Sequence, residues 1–332
     1  MRILVIGGTL FIGKQLVKRL LAAEHDVTVL HRKGEHPFGK RVRNALADRN
    51  DAATVRTALT GQKFDAVYDF AYDWERGTTG QQVEACARAI PGDLTRYIFM
   101  SSVAAYGDGL NHAEDEPLAS EAHENPYVRN KASSERALFR MFHESKFPVV
   151  TMRPPFVYGP ENPFYREAFF WDRLKAGRTI IIPGDGNRLM QFVYVNDLVE
   201  ACIRALDKNT APGRAFNVAD EKALTQIEVV NAFAKAAGRE AEMVKVPRGM
   251  IARAGGNAFG DPMYFGEYYD VPPITMLIGR VKRVFNMTLT PFADGLKETY
   301  KHWQRHGEDR KPDFKLEDDL IRQARELPIM RA

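Results

Sequence analysis

Cysteine is scarce in this chain of 332 residues: there are two, Cys86 and Cys202. Neither stands in a CxxC pair or beside a Cys/His cluster, which excludes a disulfide framework and a metal site of recognisable spacing. Both fall in helical patterns and are expected as buried free thiols of a reducing compartment. Long apolar runs are missing too. No stretch approaches the roughly 20 residues that a membrane-spanning helix needs, so no membrane partner is expected. The first strand pattern begins at residue 2, so no secretory leader is expected and the expected localisation is cytoplasmic. A dominant charge sign is also absent. Lys plus Arg number 47 against 43 for Asp plus Glu, a net +4. So small an excess neither requires nor excludes nucleic acid.

What the chain does have is apolar content, 45% of its residues, enough for a large core in one domain or two lobes. The stretch from Met1 to Leu21 organises it. Arg2 to Ile6 lacks polar alternation after Arg2, as expected of a strand covered on both faces of a parallel sheet. Gly7 and Gly8 break it, and Leu16, Val17, Leu20 and Leu21 then recur at helical spacing. A strand-to-helix turn across Gly7 to Gly13 aims backbone N–H groups and a positive helix end at whatever lies above, which favours a pyrophosphate. Gly13 lets helix and strand pack closely. Leu10 stands where a dinucleotide fingerprint usually has a mid-loop glycine, so a tight turn without ligand is the competing reading.

Further strands are expected at Asp26 to Leu30, Arg41 to Leu46, Phe64 to Phe70, Arg96 to Met100 and Pro148 to Arg153. Helical patterns fit between several of them, at Asp51 to Leu59, Gly80 to Ile90 and Asn130 to Ser145. The alternation predicts an α/β fold with a doubly wound parallel sheet, whose ligands bind at the carboxyl ends of the strands. Chemistry-bearing residues stand at those ends. After the second strand come His31, Arg32 and Lys33, where an NAD enzyme commonly places an acid for the adenosine ribose. Cations there suit a 2′-phosphate and favour NADP(H) over NAD(H); a solvated basic loop is the alternative. Asp48, after the third strand, could accept a bond from the adenine amine. Phe70 and Ala71 follow the fourth strand and are expected to pack against the cofactor. Ser101 and Ser102 follow the fifth. Tyr127 and Lys131 are four apart, which on a helix sets an ammonium close to a phenol. A neighbouring cation lowers a tyrosine pKa from about 10 towards a range where it can donate and accept protons. Ser102 could then hold a substrate oxygen.

With these residues in hand the chain resembles the extended short-chain dehydrogenase/reductases, the superfamily often labelled NAD-dependent epimerase/dehydratase. The resemblance runs through GGTLFIG (Gly7 to Gly13), SSVAAYG (Ser101 to Gly107), YVRNK (Tyr127 to Lys131), RPPFVYGP (Arg153 to Pro160), PGDGNRLMQFVYVNDL (Pro183 to Leu198) and FNVAD (Phe216 to Asp220). It implies a Rossmann domain over residues 1–155, joined by parts of 189–220, and a smaller substrate lobe over most of 156–332. It implies a catalytic set of Ser102, four residues before Tyr106, with Tyr127 and Lys131, the lysine also holding the nicotinamide ribose. The cofactor residues it implies are Gly7, Thr9, Leu10, Phe11 and Ile12 in the glycine turn, then His31, Arg32, Asp48 and Arg49. Phe70, Ala71, Tyr72, Ser101, Tyr127, Lys131, Pro154 and Phe156 complete them. Substrate contacts fall on Ser102, Ala104, Phe156, Arg188 and Met190.

The chain also departs from the pattern. No residue matches the asparagine that completes the site in many relatives. The segment from Ala71 to Ser102 is short for the family's helix-bundle dimer, so a homodimer stays an open expectation. Phe156 and Met190 stand where relatives acting on nucleotide sugars often carry an asparagine and an arginine. Val103 and Ala104 replace the carboxylates of the sugar 4,6-dehydratases. A more apolar carbonyl or alcohol is therefore expected as the small-molecule substrate, unless Arg188 takes over a diphosphate. The readings in competition are a reductase, an epimerase using bound NAD(P), a nucleic-acid-binding module like the plastid stem-loop RNA-binding branch, and a cofactor-sensing regulator. Keeping Ser102, Tyr127 and Lys131 favours the enzyme, and nucleic acid is not the expected partner. Further on, Gly255 to Ile274 reads either as an aromatic lid or as a loop packed on the core. Phe292 to His306 reads as a helix, and Gly307 to Ala332 as a charged surface tail.

Overall fold

The structure, a computed structural model, describes residues 1–207, 212–307 and 310–326. Its centre is a seven-stranded sheet. The strands are β1 (Arg2–Ile6), β2 (Asp26–His31), β3 (Arg43–Leu46), β4 (Ala66–Asp69), β5 (Arg96–Met100), β6 (Val149–Arg153) and β7 (Arg214–Asn217). They run in the order β7-β6-β5-β4-β1-β2-β3 with every pair parallel. Strands β4, β5 and β6 are buried at every residue, as near-continuous apolar sequence in a twice-covered sheet requires. The polar RNAL of β3 lies instead at an edge and is mostly exposed. The order reverses between β1 and β4, so the crevice expected to take ligands opens above the ends of those two strands.

Local chemistry sets the helices. α1 (Phe11–Ala22) follows the glycine turn; α2 (Ala52–Ala58) is capped by the Asp51 carboxylate, which accepts from the N–H groups of Ala53 and Thr54. α3 (Gly80–Ala89) starts with a reciprocal capping box between Thr79 and Gln82. The helix predicted from Asn130 begins earlier, as α4 (Pro126–Ser145), because Asn125 caps it and Pro126 fits the first helical position. That extra turn brings Tyr127 into the helix.

The chain forms two compact units. The first comprises Met1–Val157, Phe192–Glu221 and Ile274–Leu289. Its core joins Leu4, Ile6, Val67, Tyr97, Phe99, Val83 and Leu138 across the sheet and helices. The second comprises Tyr158–Gln191, Lys222–Pro273 and the described residues from Thr290 on. There Ile180–Pro183 pairs in parallel with Met243–Val246, and Leu189–Met190 pairs antiparallel with Leu224–Thr225. Phe170 stacks on Phe233 at 4.6 Å between ring centres, with Trp171 edge-on to Phe233 at 5.7 Å.

Within the second unit the helix expected at Phe292–His306 is present. The charged tail is not simply surface chain: Lys315–Glu326 is a helix whose Leu320 and Ile321 are buried and whose Glu317 forms a buried ion pair with Arg173 at 2.5 Å. Residues 308–309 and 327–332 of that tail lie outside the described residues. In the Gly255 to Ile274 stretch Tyr264, Phe265 and Tyr269 are buried, so most of its aromatics build core and only Phe259 is widely exposed. Among the described residues no helix is long and apolar enough to cross a membrane, and no group of His, Cys, Asp and Glu could hold a metal ion.

Candidate functional site

The strand-to-helix turn is tight enough to admit only glycine at two places. Gly7 has φ of +83° and faces the backbone of Ala71, while a Cβ on Gly13 would stand 2.1 Å from the Gly7 carbonyl oxygen. The close approach presses the start of α1 onto the end of β1, as a pyrophosphate cradle requires. Leu10, in place of the mid-loop glycine, adopts an extended backbone just before α1 and leaves its side chain exposed. Thr9 and Ile12 are half-buried and Phe11 is buried. Phe70 continues the register of β4 by donating its N–H to the Ile6 carbonyl at 2.9 Å, and Ala71 closes over Gly7. The turn therefore fits a dinucleotide.

At the end of β2 the cations divide. Arg32 is 59% exposed and pairs with Asp73 at 3.0 Å. His31 lies 2.5 Å from the Asn44 side-chain oxygen, and burial holds its pKa below the usual imidazole value. One of the expected cations is thereby weakened. Asp48 is already engaged: Arg76 donates to it at 2.5 Å, and the Asn50 N–H at 2.9 Å. Burial opposes its ionised form, yet those bonds and the nearby arginines outweigh the penalty and hold its pKa low. The expected bond from an adenine amine thus meets an oxygen pair already shared with a guanidinium.

Two expected cofactor residues point into the core. Arg49 is buried and paired with Asp69, which also accepts from the Tyr97 hydroxyl at 2.8 Å. Ser101 donates to buried Glu135 at 2.5 Å, where Thr151 and Arg153 converge as well. Successive residues leaving a strand face opposite ways, so Ser101 and Ser102 cannot both address the crevice. Ser102 takes the other side, its oxygen accepting from the Ala104 N–H at 3.2 Å as it caps the short turn Val103–Tyr106. Pro154 accepts from the Val103 N–H at 2.9 Å and ties β6 to that turn. Tyr106 donates to Asn217 at 2.8 Å and accepts from Arg153 at 2.6 Å, so this phenol is structural.

Tyr127 and Lys131 do come together on α4. The Lys131 ammonium lies 5.8 Å from the Tyr127 ring centre, 5.1 Å from that of Tyr72, and donates to the Met100 carbonyl at 2.7 Å. That carbonyl sits two residues before Ser102, so one bond links the helix to the serine's strand. Burial drives the Lys131 pKa down to about 8, against the pull of the Asp69 and Glu135 carboxylates. Tyr127 is packed by aromatics: Trp74 stacks on it at 5.1 Å and 15°, and Tyr72 meets it edge-on at 5.0 Å. The Tyr72 hydroxyl accepts from Asn130 at 3.1 Å. Cys86 and Cys202 are free and buried, and burial pushes the Cys86 pKa up to about 12, which leaves an unreactive thiol.

The expected substrate residues divide between the units. Ala104 is half-buried beside Val128 and Ala132 of α4, and Phe156 is half-buried with its ring 5.8 Å from Phe192. Arg188 and Met190 belong to the second unit. Arg188 donates to the Asp270 side chain at 3.1 Å and its carbonyl at 2.9 Å, while Met190 is buried opposite Leu224.

Sequence reasoning missed Asp73, Trp74, Arg76, Asn130 and Glu135. Glu135 could have been found, since 127, 131 and 135 follow one another at i, i+4 on one helix face. Trp74, one of three tryptophans, stood out only by lying in a polar segment.

Among characterised proteins, the chloroplast stem-loop binding protein of 41 kDa b from Arabidopsis thaliana is 32% identical over 254 residues, covering 71% of this chain and 63% of that one. The chain thus spans less than two thirds of that relative's length. UDP-glucose 4-epimerase 4 of Oryza sativa subsp. japonica is 26% identical over 294 residues, covering 74% and 79%. Two solved structures share the fold. A dTDP-glucose 4,6-dehydratase from Bacillus anthracis in complex with NAD has a TM-score of 0.73 at 18% identity, covering 92% of this chain and 97% of that one. A UDP-glucose 4-epimerase with UDP-glucose from Thermotoga maritima also reaches 0.73, at 21% identity and 93% and 100% coverage. The family model of the NAD-dependent epimerase/dehydratases matches residues 3–219, and with the glycine turn, Ser102, Tyr127 and Lys131 already in place the chain belongs to that family.

Proposed function

We propose that the chain is an NAD(P)-dependent oxidoreductase that interconverts a carbonyl and an alcohol, with Ser102, Tyr127 and Lys131 as its reacting groups. The observation that carries this reading is a buried lysine, its pKa lowered to about 8, held one helical turn from Tyr127 and bonded to the end of the strand that leads into Ser102. A bound nicotinamide supplies or accepts the hydride. Tyr127 gives its phenolic proton to the carbonyl oxygen in reduction and takes it back in oxidation. The Lys131 ammonium offsets the negative charge that Tyr127 carries once its proton has gone, and its remaining N–H groups suit the ribose hydroxyls. Ser102 keeps its proton and donates a hydrogen bond from its hydroxyl to the same substrate oxygen, which fixes its position.

Gly7, Gly13 and the start of α1 would hold the pyrophosphate. Exposed Arg32, at the end of β2, favours NADP(H), since its guanidinium can grip a 2′-phosphate. The substrate is a comparatively apolar small molecule rather than a nucleotide sugar: Phe156, in the same unit as Tyr127, offers no charge for a diphosphate and packs by Phe192 instead. Replacing Tyr127 with Phe should cut turnover about a hundredfold or more while cofactor affinity stays within about twofold. Turnover within a few-fold of the parent would remove Tyr127 from the mechanism. A second reading draws on the 32% identical stem-loop binding relative. Tight stem-loop RNA binding that weakens steeply with salt would favour it.

A further inference from the structure

The segment between β4 and α3 is built around one carboxylate. Asp73 is buried, and its Oδ1 accepts the N–H groups of Glu75 and Arg76 at 3.1 and 2.9 Å. Its Oδ2 accepts from Arg76 Nε at 2.9 Å and Arg32 at 3.0 Å. The loop closes on itself as Gly77 donates to the Asp73 carbonyl at 2.8 Å and Thr78 receives the Asp73 N–H at 3.1 Å. Asn50 fastens it from outside, donating to the Gly77 carbonyl at 2.9 Å. So many bonds in so short a segment fix its path.

What this clamp carries is Trp74. Its ring lies nearly parallel to Tyr127 and edge-on to Tyr72 at 5.2 Å, yet the residue remains 55% exposed. A large indole left that open contributes little to a core, since much of its apolar surface stays in water. A rigid loop that holds such a ring flat on the proton-donating phenol has instead made an aromatic platform beside the reacting group. Flat π-faces attract one another in offset stacks, and they take planar partners in preference to puckered ones.

We infer that Trp74 is a specificity-determining residue, and that the substrate carries a flat aromatic or conjugated group next to its carbonyl, which stacks on this indole. The inference rests on the reductase reading for the site's chemistry but makes a claim about binding that can be tested without turnover. Acetophenone and cyclohexyl methyl ketone share a carbonyl and a six-carbon ring, and only the first ring is planar. Each is titrated into protein loaded with oxidised NADP, which cannot reduce a ketone, for the parent, Trp74→Ala and Trp74→Phe. The parent is expected to bind acetophenone about tenfold more tightly than the saturated ketone. Trp74→Ala should remove most of that preference, and Trp74→Phe should restore most of it.

Because the side chain is exposed, both variants are expected to fold, with melting temperatures close to the parent's. Equal affinities in the parent, no binding of either ketone, or a preference that survives Trp74→Ala would each overturn the inference. Turnover with NADPH then separates the two claims. A ring preference lost with Trp74 in a protein that reduces neither ketone upholds the platform and sinks the reductase reading. Reduction of both ketones without preference does the reverse.

Discussion

Two carboxylates, one in each unit, gather arginines in the same way and to different ends. Asp73 in the first unit holds Arg32 and Arg76, whose side chains are 59% and 55% exposed. Asp270 in the second holds Arg188 and Arg248, of which only 30% and 29% is exposed, and it also accepts from Gln226 at 3.0 Å and the Tyr264 hydroxyl at 2.9 Å. Ion pairs with a wet partner are weak, because water screens them and competes for each group. Buried ones are costly to break, since the partner left behind keeps an uncompensated charge. In the function proposed above Arg32 exchanges Asp73 for a phosphate, whereas the less exposed Arg188 is part of the framework. A sequence shows two arginines among many; burial decides which of them can meet a ligand.

The largest effect should come from the second cluster. Replacing Asp270 with Ala strands two guanidinium groups and should destabilise the protein by about 3 kcal/mol in denaturant unfolding, with cofactor affinity of the folded protein unaltered. A loss below about 1 kcal/mol would erase the distinction between the clusters. Next is Arg32→Ala, which removes a charged phosphate partner. NADP(H) affinity should fall about tenfold or more while NAD(H) affinity and stability barely change. A parent that prefers NAD(H) would reverse the assignment.

A further effect concerns acid. Hydrogen bonds from the Arg76 backbone lead the groups that hold the Asp73 pKa down to about 2, against an unfolded value near 3.9. A depressed carboxylate pKa adds stability above the unfolded value, and that stability is lost as pH falls through the folded one. The parent should accordingly lose stability between about pH 4 and pH 2 in excess of Asp73→Asn, measured by unfolding at each pH. Parallel curves would mean that the clamp around Trp74 does not rely on the ionised form.

The same contrast explains what could be read from the chain. Strands β1, β2, β4, β5 and β6 were legible because both faces of a parallel sheet are covered and their sequences run largely apolar. β7 was not, since Arg214–Asn217 is four residues with an exposed arginine at its start. The paired strands of the second unit run two to four residues, too short for periodicity to register. The helix at Lys315–Glu326 was hidden by its charge: in KLEDDLIRQARE only Leu320, Ile321 and the ion-paired Glu317 are buried. At the site, Tyr127 and Lys131 follow from helical spacing. Ser101 and Arg49 were misplaced because motif position says where the backbone stands and not which side of it the residue faces. Trp74 and its clamp depend on hydrogen bonds across a loop, for which the sequence carries no period.

The most direct test of Tyr127 as proton donor to a carbonyl follows the hydride itself. Parent protein and Tyr127→Phe are supplied with NADPH bearing deuterium at the transferable position, together with a panel of aryl and alkyl ketones, and the alcohol formed is weighed by mass spectrometry. One deuterium is expected on the carbinol carbon of the product, which Tyr127→Phe should form about a hundredfold or more slowly. Product without the label, or labelled product formed at the parent's rate by Tyr127→Phe, would contradict it.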